Sequence, residues 1–425
     1  MTKPQKIFNI WIFGTLFLFY YGPLNYECNK ILAVGYIVLF MFFANLFYYI
    51  GTHVRIKNPY PRKKIRHSTE WIIKMSIYYS FFITLACVIE SSMKYGFSGF
   101  SFSTIISKMA NSYSFQNDYV FMVSIWILSF TKWIRVIGLV LGSLFWFKID
   151  KKQRVLYLAT CLLIIIYNTL FLGSQKELID LVIYMFLPIL IRWSKEDKKM
   201  KIWKVLLTVV VFCATCIFLG SVINARHELW KEMFNSNAST GADYSNWIYK
   251  ILPNSIADSI TYLLSYLTQG YRGLALCLTL PFKWAYGMGS SFKIMNDISR
   301  WFSIPLSILE VSYPVRMEAI YHVGAYASWH SIFPWIASDF TFLGAIIIVS
   351  IFIYYWAKSW KEFLKCGSWI SAVMFIQLTI FVLYIPCNNQ LFQTRDSIVS
   401  TVAIFILWYW YHGTKHVNIT SEVNL

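Results

Sequence analysis

Charged side chains are scarce in this sequence. They make up 14% of the 425 residues, whereas soluble globular domains carry about 25%. Acidic residues are the scarcest, with 20 Asp and Glu against 38 Lys and Arg. Hydrophobic residues reach 57%, and apolar runs of about 20 residues recur, the length that crosses a hydrocarbon core. The composition therefore excludes a soluble domain and predicts an all-α polytopic membrane protein.

Several motifs of enzymes that use a nucleotide or a metal are also missing. The sequence has no Walker A motif, no dinucleotide fingerprint, no GxSxG elbow, no HExxH and no DxD pair. We therefore expect no cofactor and no metal. The first apolar run, residues 7–24, lacks a small-residue cleavage site and is interpreted as a retained span.

The net charge of +18 is concentrated in short loops between apolar runs. Lys and Arg cluster at residues 55–66, 148–154, 192–204 and 358–365. This distribution is typical of cytoplasmic loops, so it indicates membrane topology and not a nucleic-acid partner.

Ten transmembrane helices place every basic loop on the cytoplasmic side, together with both termini. The predicted spans are 7–24, 31–51, 71–91, 122–147, 155–173, 177–193, 204–223, 340–357, 368–386 and 396–411. The corresponding regions are an N-terminal bundle at 1–223, a long outward segment at 224–339 that covers the active site, C-terminal spans at 340–411 and a cytoplasmic tail at 412–425.

The long outward segment is unusually apolar for a water-facing loop. Residues 255–267 and 274–282 are short apolar stretches bounded by glycine or proline. Stretches of this length favour interfacial or re-entrant helices over full spans. Because irregular backbone at membrane depth survives only inside protein or beside a wet cavity, we expect this segment to line a cavity that opens outward.

Four arginines fall near the predicted outer boundary: Arg226, Arg272, Arg316 and Arg395. Guanidinium groups bind phosphate oxygens in a bidentate way, so several of them together are suited to a pyrophosphate. The alternative for each is a structural arginine that snorkels or pairs with a carboxylate.

Candidate acid–base groups occur in the same region. Glu318 and His322 are four residues apart and share a face if that segment is helical. His330 and Asp339 follow in the stretch that leads into the eighth span. A histidine or carboxylate here can deprotonate a sugar hydroxyl; the alternative is a buried histidine or an ion-paired carboxylate with a structural role.

Four further side chains are candidate substrate contacts. Tyr271 and Trp284 fit an aromatic belt at the headgroup level, and their faces can also stack on sugar rings. Lys132 and Arg135 lie three residues apart within the fourth apolar run. Cations at membrane depth favour a functional interpretation.

Three stretches together resemble Wzy-type oligosaccharide repeat unit polymerases: GYRGLALCLTLPFKWAYGMGSS, ASWHSIFPWIASDFTFLG and CNNQLFQTRDS. The resemblance covers the outward segment and the last spans. LFLGSQKELIDL at 170–181 is similar to the place where many members carry Gly-Ser-Arg, but here Gln175 and Lys176 replace the arginine.

The resemblance implies a GT-C-like fold in the bacterial cytoplasmic membrane. It implies polymerisation of undecaprenyl-pyrophosphate-linked oligosaccharides on the outer face, in contact with membrane lipid and with a co-polymerase that regulates chain length. Arg272 and Arg316 would then hold the pyrophosphate, with Arg226 and Arg395 as further candidates. His322 or His330 would be the base, oriented by Glu318 or Asp339. The alternatives are an O-antigen ligase and a polysaccharide flippase or other transporter.

Overall fold

The chain forms helices over most of the residues that the computed structural model describes, which are 1–56, 66–96, 122–173, 175–195, 240–303, 310–325 and 328–413. In the first half of the chain the helices are α1 (Lys3–Tyr21), α2 (Lys30–His53), α3 (Arg66–Tyr95), α4 (Val123–Leu144), α5 (Lys151–Tyr167) and α6 (Gln175–Lys195). In the second half they are α7 (Trp247–Ile251), α8 (Asn254–Cys277), α9 (Phe292–Phe302), α10 (Tyr313–Tyr321), α11 (Phe333–Cys366), α12 (Trp369–Tyr384) and α13 (Arg395–Gly413).

The chain divides into two compact units. The first comprises Met1–Arg55, Ser236–Lys358 and Leu378–Ile398, and the second comprises Ile56–Asn235, Ser359–Gln377 and Val399–Leu425. In the first unit, strand β1 (Leu24–Tyr26) pairs antiparallel with strand β2 (Thr240–Ala242), with Leu24 opposite Ala242. This pairing joins the segment after α1 to the segment that precedes α7.

Five of the described helices are long and apolar enough to cross a membrane, which indicates a membrane protein. They are Lys30–His53, Thr69–Tyr95, Val123–Leu144, Lys151–Leu172 and Phe333–Cys366. They coincide with the predicted spans at 31–51, 71–91, 122–147, 155–173 and 340–357. Four other predicted spans, 7–24, 177–193, 368–386 and 396–411, fall on α1, α6, α12 and α13, which are not among the five. The predicted span at 204–223 lies outside the described residues.

Local sequence explains where several of these helices begin. Asn29 caps α2 by accepting a hydrogen bond from the backbone N–H of Leu32 at 3.2 Å. Asp150 and Gln153 form a capping box at the start of α5. Such caps satisfy backbone N–H groups that have no partner within the helix. The helices therefore begin where a polar residue precedes each apolar run.

Helix α11 is kinked where the predicted eighth span begins. Thr341 has a left-handed backbone, with φ of 63° and ψ of 169°. The hydroxyl of Tyr36 in α2 donates to the carbonyl oxygen of Phe342 at 2.8 Å. A kink disturbs the hydrogen bonding of the helix, and at membrane depth the affected groups need partners inside the protein. The hydroxyl of Thr341 provides one, because it accepts from the N–H of Gly344 at 3.4 Å. The first two turns of α11 therefore run in a different direction from the rest of the helix.

The expectation that glycines divide residues 255–282 into two short helices is wrong. Helix α8 runs without interruption from Asn254 to Cys277, through Gly270 and Gly273. A Cβ atom at Gly270 would lie 2.1 Å from the carbonyl oxygen of Pro386 and 2.6 Å from the backbone nitrogen of Ser331. The glycines are therefore needed for close packing of α8 against other backbone, and they do not end the helix.

This close packing predicts that Gly270→Ala destabilises the protein. Forcing extra atoms into a packed core typically costs 1–3 kcal/mol, and the obstacle here is backbone, so we expect a loss of at least about 2 kcal/mol. The measurement is the free energy of unfolding in detergent micelles.

The matched control is Gly35→Ala in α2, where a Cβ atom would meet nothing within 4 Å. Alanine favours a helix over glycine by about 0.5–1 kcal/mol, so this control should be neutral or stabilising. Equal destabilisation by both variants would contradict the packing argument.

Candidate functional site in the first unit

The candidate site lies where α8 crosses two irregular backbone segments, residues 330–332 and 385–389. These segments pair with each other: the N–H of Ser331 donates to Cys387 O at 2.9 Å, and the N–H of Ile332 donates to Ile385 O at 3.2 Å. Gly270 and Gly273 form the face of α8 that touches them. At Gly273 a Cβ atom would lie 2.8 Å from Nδ1 of His330.

Arg272 occupies α8 between the two glycines and is 8% exposed. Burial lowers the pKa of its guanidinium, and the nearby Cys28, Tyr26 and Glu27 raise it again electrostatically. Arginine stays charged at any physiological pH, so this is a nearly buried positive charge. Its positive charge contributes to the lowered pKa of His330, and the adjacent Gly273 packs against that histidine. The structure thus brings together Arg272 and His330.

Aromatic packing fixes the part of α8 that carries Arg272. The hydroxyl groups of Tyr26 and Thr268 lie 2.8 Å apart, and those of Tyr271 and Thr15 lie 2.9 Å apart. The ring of Phe19 lies 5.3 Å from that of Tyr26 and 5.5 Å from that of Tyr271. Tyr271 is therefore a core residue with 0% exposure, and its prediction as a headgroup-level contact is wrong.

His330 is held as a neutral ring with a defined tautomer. Its Nε2 lies 3.0 Å from the carbonyl oxygens of both Gly324 and Ala325. Both neighbours are acceptors, so Nε2 carries the proton and Nδ1 has a free lone pair. Burial lowers the pKa of His330 to about 4. At neutral pH this histidine is consequently an acceptor at Nδ1.

Among the described contacts, Glu318 reaches His330 through the backbone turn that holds the ring. Its Oε2 accepts from the N–H of Ala325 at 3.1 Å, next to the carbonyl groups that bind His330. His322 does not share a helical face with Glu318, because α10 ends at Tyr321 and His322 adopts a left-handed backbone with φ of 55°. That expectation is wrong. Both side chains are exposed.

Three polar atoms beside this crossing have no hydrogen-bond partner within the described part of the chain. They are Nδ1 of His330, Oγ of Ser331 and Oδ1 of Asn389, and all three residues are 0% exposed. An unsatisfied buried donor or acceptor costs about 1–3 kcal/mol. Such groups are usually satisfied by an ordered water or by a polar ligand.

Asp339 holds a neighbouring loop in place. Its Oδ1 accepts from the N–H of Gly289 at 3.0 Å and its Oδ2 accepts from the hydroxyl of Ser290 at 2.7 Å. The carbonyl oxygen of Ser290 in turn accepts from Nδ2 of Asn389 at 3.1 Å. Asp339 is thus linked to Asn389 through the loop that contains Ser290. Its two carboxylate oxygens bind that loop and not His330.

Two of the other arginines are engaged elsewhere. Arg316 donates from NH1 to the carbonyl oxygen of Pro281 at 2.7 Å. Arg395 forms a bidentate pair with Asp297, at 2.8 Å from Nε and 2.7 Å from NH2. A phosphate at Arg395 would have to compete with that carboxylate. Arg226 lies outside the described residues.

Trp284 lies on the loop that follows α8. It is 56% exposed, and its ring packs 5.0 Å from that of Tyr286, which is 61% exposed. The loop is tied to α11, since the N–H of Ala285 donates to Ser338 O at 3.0 Å. Because Ser338 comes shortly before the predicted eighth span, both aromatic rings are placed where a membrane interface is expected.

Lys132 and Arg135 belong to the second unit and form a separate cluster there. Nζ of Lys132 lies 2.6 Å from Oε1 of Glu177, and NH2 of Arg135 lies 3.4 Å from Oε2 of the same residue. Both cations are buried, at 4% and 5% exposure. Their partner Glu177 comes from the first turn of α6.

Sequence reasoning missed Ser331, Asn389, Asp297 and Glu177. The first two lie in the stretches SWHS and CNNQ, where an uncharged serine or asparagine gives no distinctive signal for a site. Asp297 is 98 positions from Arg395 and Glu177 is 45 positions from Lys132. The local sequence offers no signal for such pairings, although the unpaired cations themselves predict that carboxylate partners exist.

The chain matches no protein-family profile, no curated protein and no solved structure. Among the described residues, no group of three or more His, Cys, Asp or Glu side chains is arranged to hold a metal ion. The chemical character of the site therefore comes from its own groups: a buried arginine, a neutral histidine and amide and hydroxyl groups.

The lowered pKa of His330 predicts a specific pH dependence of stability. The unfolded ring titrates near pH 6.5 and the folded ring near 4, so the unfolded chain binds the proton more tightly. The stabilisation is present above pH 6.5 and is lost as the pH falls toward 4, by roughly 2–3 kcal/mol. His330→Gln keeps a donor for the two carbonyl groups and should remove this part of the slope.

The measurement is the free energy of unfolding of both proteins between pH 7.5 and 4.5. His322→Gln serves as the control, because it makes the same substitution at an exposed position. An identical slope for wild type and His330→Gln would show that His330 does not titrate in this way.

Proposed function

We propose that the protein is a polyprenyl-pyrophosphate-dependent glycosyltransferase. In this proposal it polymerises undecaprenyl-pyrophosphate-linked oligosaccharides on the outer face of the bacterial cytoplasmic membrane. The observation that carries the proposal is the buried Arg272 next to the neutral His330, beside unsatisfied hydroxyl and amide groups. A cation, a base and hydrogen-bonding groups are the requirements of glycosyl transfer from a pyrophosphate.

The proposed topology has ten spans in a GT-C-like arrangement, with both termini in the cytoplasm. Five apolar helices support it, and α1, α6, α12 and α13 coincide with four further predicted spans. Residues 330–332 and 385–389 then lie at outer ends of spans. A lipid-linked donor reaches such a position from the membrane while its sugar remains in water.

The reaction in this proposal is a single transfer. The hydroxyl oxygen of the acceptor sugar bonds to the anomeric carbon of the donor, and the bond from that carbon to the pyrophosphate oxygen breaks. Nδ1 of His330 takes the hydroxyl proton and later releases it to water. The pyrophosphate stays on its lipid, and Arg272 compensates its added negative charge.

Substrate binding would raise the low pKa of His330. A histidine with a pKa of about 4 is a weak base, but a nearby anion favours the imidazolium and raises that pKa. A bound pyrophosphate is such an anion. Binding would also provide hydrogen-bond partners for the unsatisfied Oγ of Ser331 and Oδ1 of Asn389. These hydrogen bonds would favour a conformation in which α8 and the two backbone segments separate to admit the substrate.

A transporter is the second candidate function. The observation that favours it is the buried charged cluster around Lys132 and Arg135 in the second unit. Ionisable groups within membrane helices frequently mark a transport pathway.

The test is the polysaccharide profile of the host strain after deletion of the gene. For a polymerase, the ladder collapses to single repeat units on their normal acceptor. Long polymer that stays on its lipid carrier would instead indicate a ligase, which uses the same donor with another acceptor. Single units that remain on the cytoplasmic face, protected from an external glycosidase, would indicate the transporter.

Complementation of this strain tests Arg272. We expect Arg272→Ala to restore no long polymer, a loss of at least about 100-fold, because removing one strong electrostatic contact to the transition state costs about 2.7–4 kcal/mol. Arg55→Ala is the control, since Arg55 is an exposed arginine at the end of α2. Both variants must be present in the membrane at the wild-type level. Normal chain length with Arg272→Ala would remove Arg272 from the proposed site.

A further inference from the structure

The loop that follows α8 carries two exposed aromatic rings, those of Trp284 and Tyr286. They are 56% and 61% exposed, and their centroids lie 5.0 Å apart with 41° between the ring planes. Ala285 between them is buried, and its N–H donates to the carbonyl oxygen of Ser338 at 3.0 Å. The loop backbone is therefore fixed at the residue between the two rings, while both rings remain on the outside of the protein.

The backbone of Tyr286 has a conformation that a bulky residue rarely adopts. Tyr286 has φ of 56° and Gly287 has φ of 78°, and the N–H of Met288 donates to the carbonyl oxygen of Ala285 at 3.0 Å. A turn with positive φ at both central residues favours Asn, Asp or Gly at the first of them. Backbone outliers of this kind cluster at functional sites, and Ser331 of the candidate site is another. The tyrosine at this position is therefore explained by its side chain and not by the turn.

The same loop is joined to the candidate site. The carbonyl oxygen of Ser290 accepts from Nδ2 of Asn389 at 3.1 Å. A Cβ atom at Gly289 would lie 2.6 Å from Cβ of Ser338, so the loop packs tightly against α11. From Trp284 to Ser290 the chain spans at most about 20 Å. The two aromatic rings consequently lie within reach of an oligosaccharide whose other end is bound beside Asn389.

The fixed geometry of the two rings favours a sugar over lipid as their ligand. Lipid headgroups are fluid and place no demand on the orientation of an aromatic ring. A pyranose ring is rigid, and the C–H groups of its apolar face pack on an aromatic ring while its hydroxyl groups stay in water. Here the rings contact each other, and the turn that carries one of them is strained and hydrogen-bonded.

We propose that Trp284 and Tyr286 form a stacking platform for a sugar ring of the lipid-linked oligosaccharide. The platform binds a sugar unit away from the reacting bond, so it contributes to affinity and takes no part in proton transfer at His330. The inference rests on the proposed function for the nature of the ligand. The platform itself is defined by the exposure, the ring geometry and the backbone of the loop.

The test measures binding of repeat-unit oligosaccharides, released by mild acid from the lipid-linked pool of the host strain. They are titrated by calorimetry into the full chain in phosphatidylcholine nanodiscs. We expect Trp284→Ala to weaken binding about tenfold, because a large stacked ring is lost, and Trp284→Phe to weaken it less, because a ring remains. No binding to wild type, or equal affinity of wild type and Trp284→Ala, would overturn the proposal.

Tyr286→Asn separates a binding role from a structural one. Asparagine adopts positive φ more readily than tyrosine, so we expect the melting temperature to rise by about 1–2 °C. The same change removes one ring of the platform and should weaken binding about threefold or more. A side chain that served only for packing would give the opposite pattern, a lower melting temperature with unchanged affinity, and that result would contradict the proposal.

Tyr244→Ala is the matched control. Tyr244 is 66% exposed, and its ring lies 4.9 Å from that of Tyr249, so it belongs to a similar exposed aromatic pair of the first unit. The described contacts do not connect this pair to Asn389. Tyr244→Ala should therefore leave the affinity unchanged, and a loss equal to that of Trp284→Ala would show that binding is not specific to the platform.

Nanodiscs of brominated phosphatidylcholine test lipid as the alternative ligand. Bromine quenches tryptophan fluorescence on contact, and the contribution of Trp284 is the difference between wild type and Trp284→Phe. We expect the oligosaccharide to protect this contribution from quenching. Quenching that the oligosaccharide does not relieve would identify Trp284 as a membrane anchor and would overturn the proposal.

Failure of this inference and failure of the proposed function give different results. If deletion of the gene abolishes long polymer but Trp284→Ala binds the oligosaccharide normally, the platform is wrong and the polymerase stands. If Trp284→Ala loses affinity but deletion leaves the polysaccharide ladder intact, the platform is supported and the polymerase is wrong.

Discussion

Both charged clusters of the described chain depend on one constraint: a polar group that is buried away from water must find its partner inside the protein. The kink of α11 meets this demand because the hydroxyl of Thr341 accepts from the N–H of Gly344, and the cations of α4 meet it through Glu177. Where the demand is met, the groups stabilise the fold. At Nδ1 of His330 the demand is not met, so this atom remains available to accept a hydrogen bond from water or from a polar ligand.

In the first unit the unmet demand follows from close backbone packing. Gly270 lets α8 approach the carbonyl oxygen of Pro386 and the N–H of Ser331 so closely that no side chain fits between them. A helix at that distance excludes the donors and acceptors that would otherwise satisfy neighbouring groups. Arg272, between Gly270 and Gly273 in α8, is also buried, which strengthens its field because fewer water molecules screen it. Close packing and a buried charge are therefore found on the same two turns of α8.

The parts of the structure that the sequence predicted are those that depend on local chemistry. Apolar runs such as 31–51 and 122–147 became helices of the expected length, because the backbone has no other way to satisfy itself in lipid. The prediction failed at Gly270 and Tyr271, where tertiary contacts override the usual preference of glycine for helix ends and of tyrosine for interfaces. It also could not supply Asp297 or Glu177, since a pairing across 98 or 45 positions leaves no trace in local sequence. Cations can be recognised singly in a sequence, but their partners can be identified only in the folded structure.

The second unit meets the same constraint with an internal counter-ion. Glu177, in the first turn of α6, lies 2.6 Å from Nζ of Lys132 and 3.4 Å from NH2 of Arg135. One carboxylate therefore bridges two buried cations that lie about one helical turn apart on α4. Removing one partner of such a buried pair leaves a charge without compensation, which costs more than the pair itself contributes to stability. The contact between α4 and α6 is consequently specified by charge as well as by apolar packing.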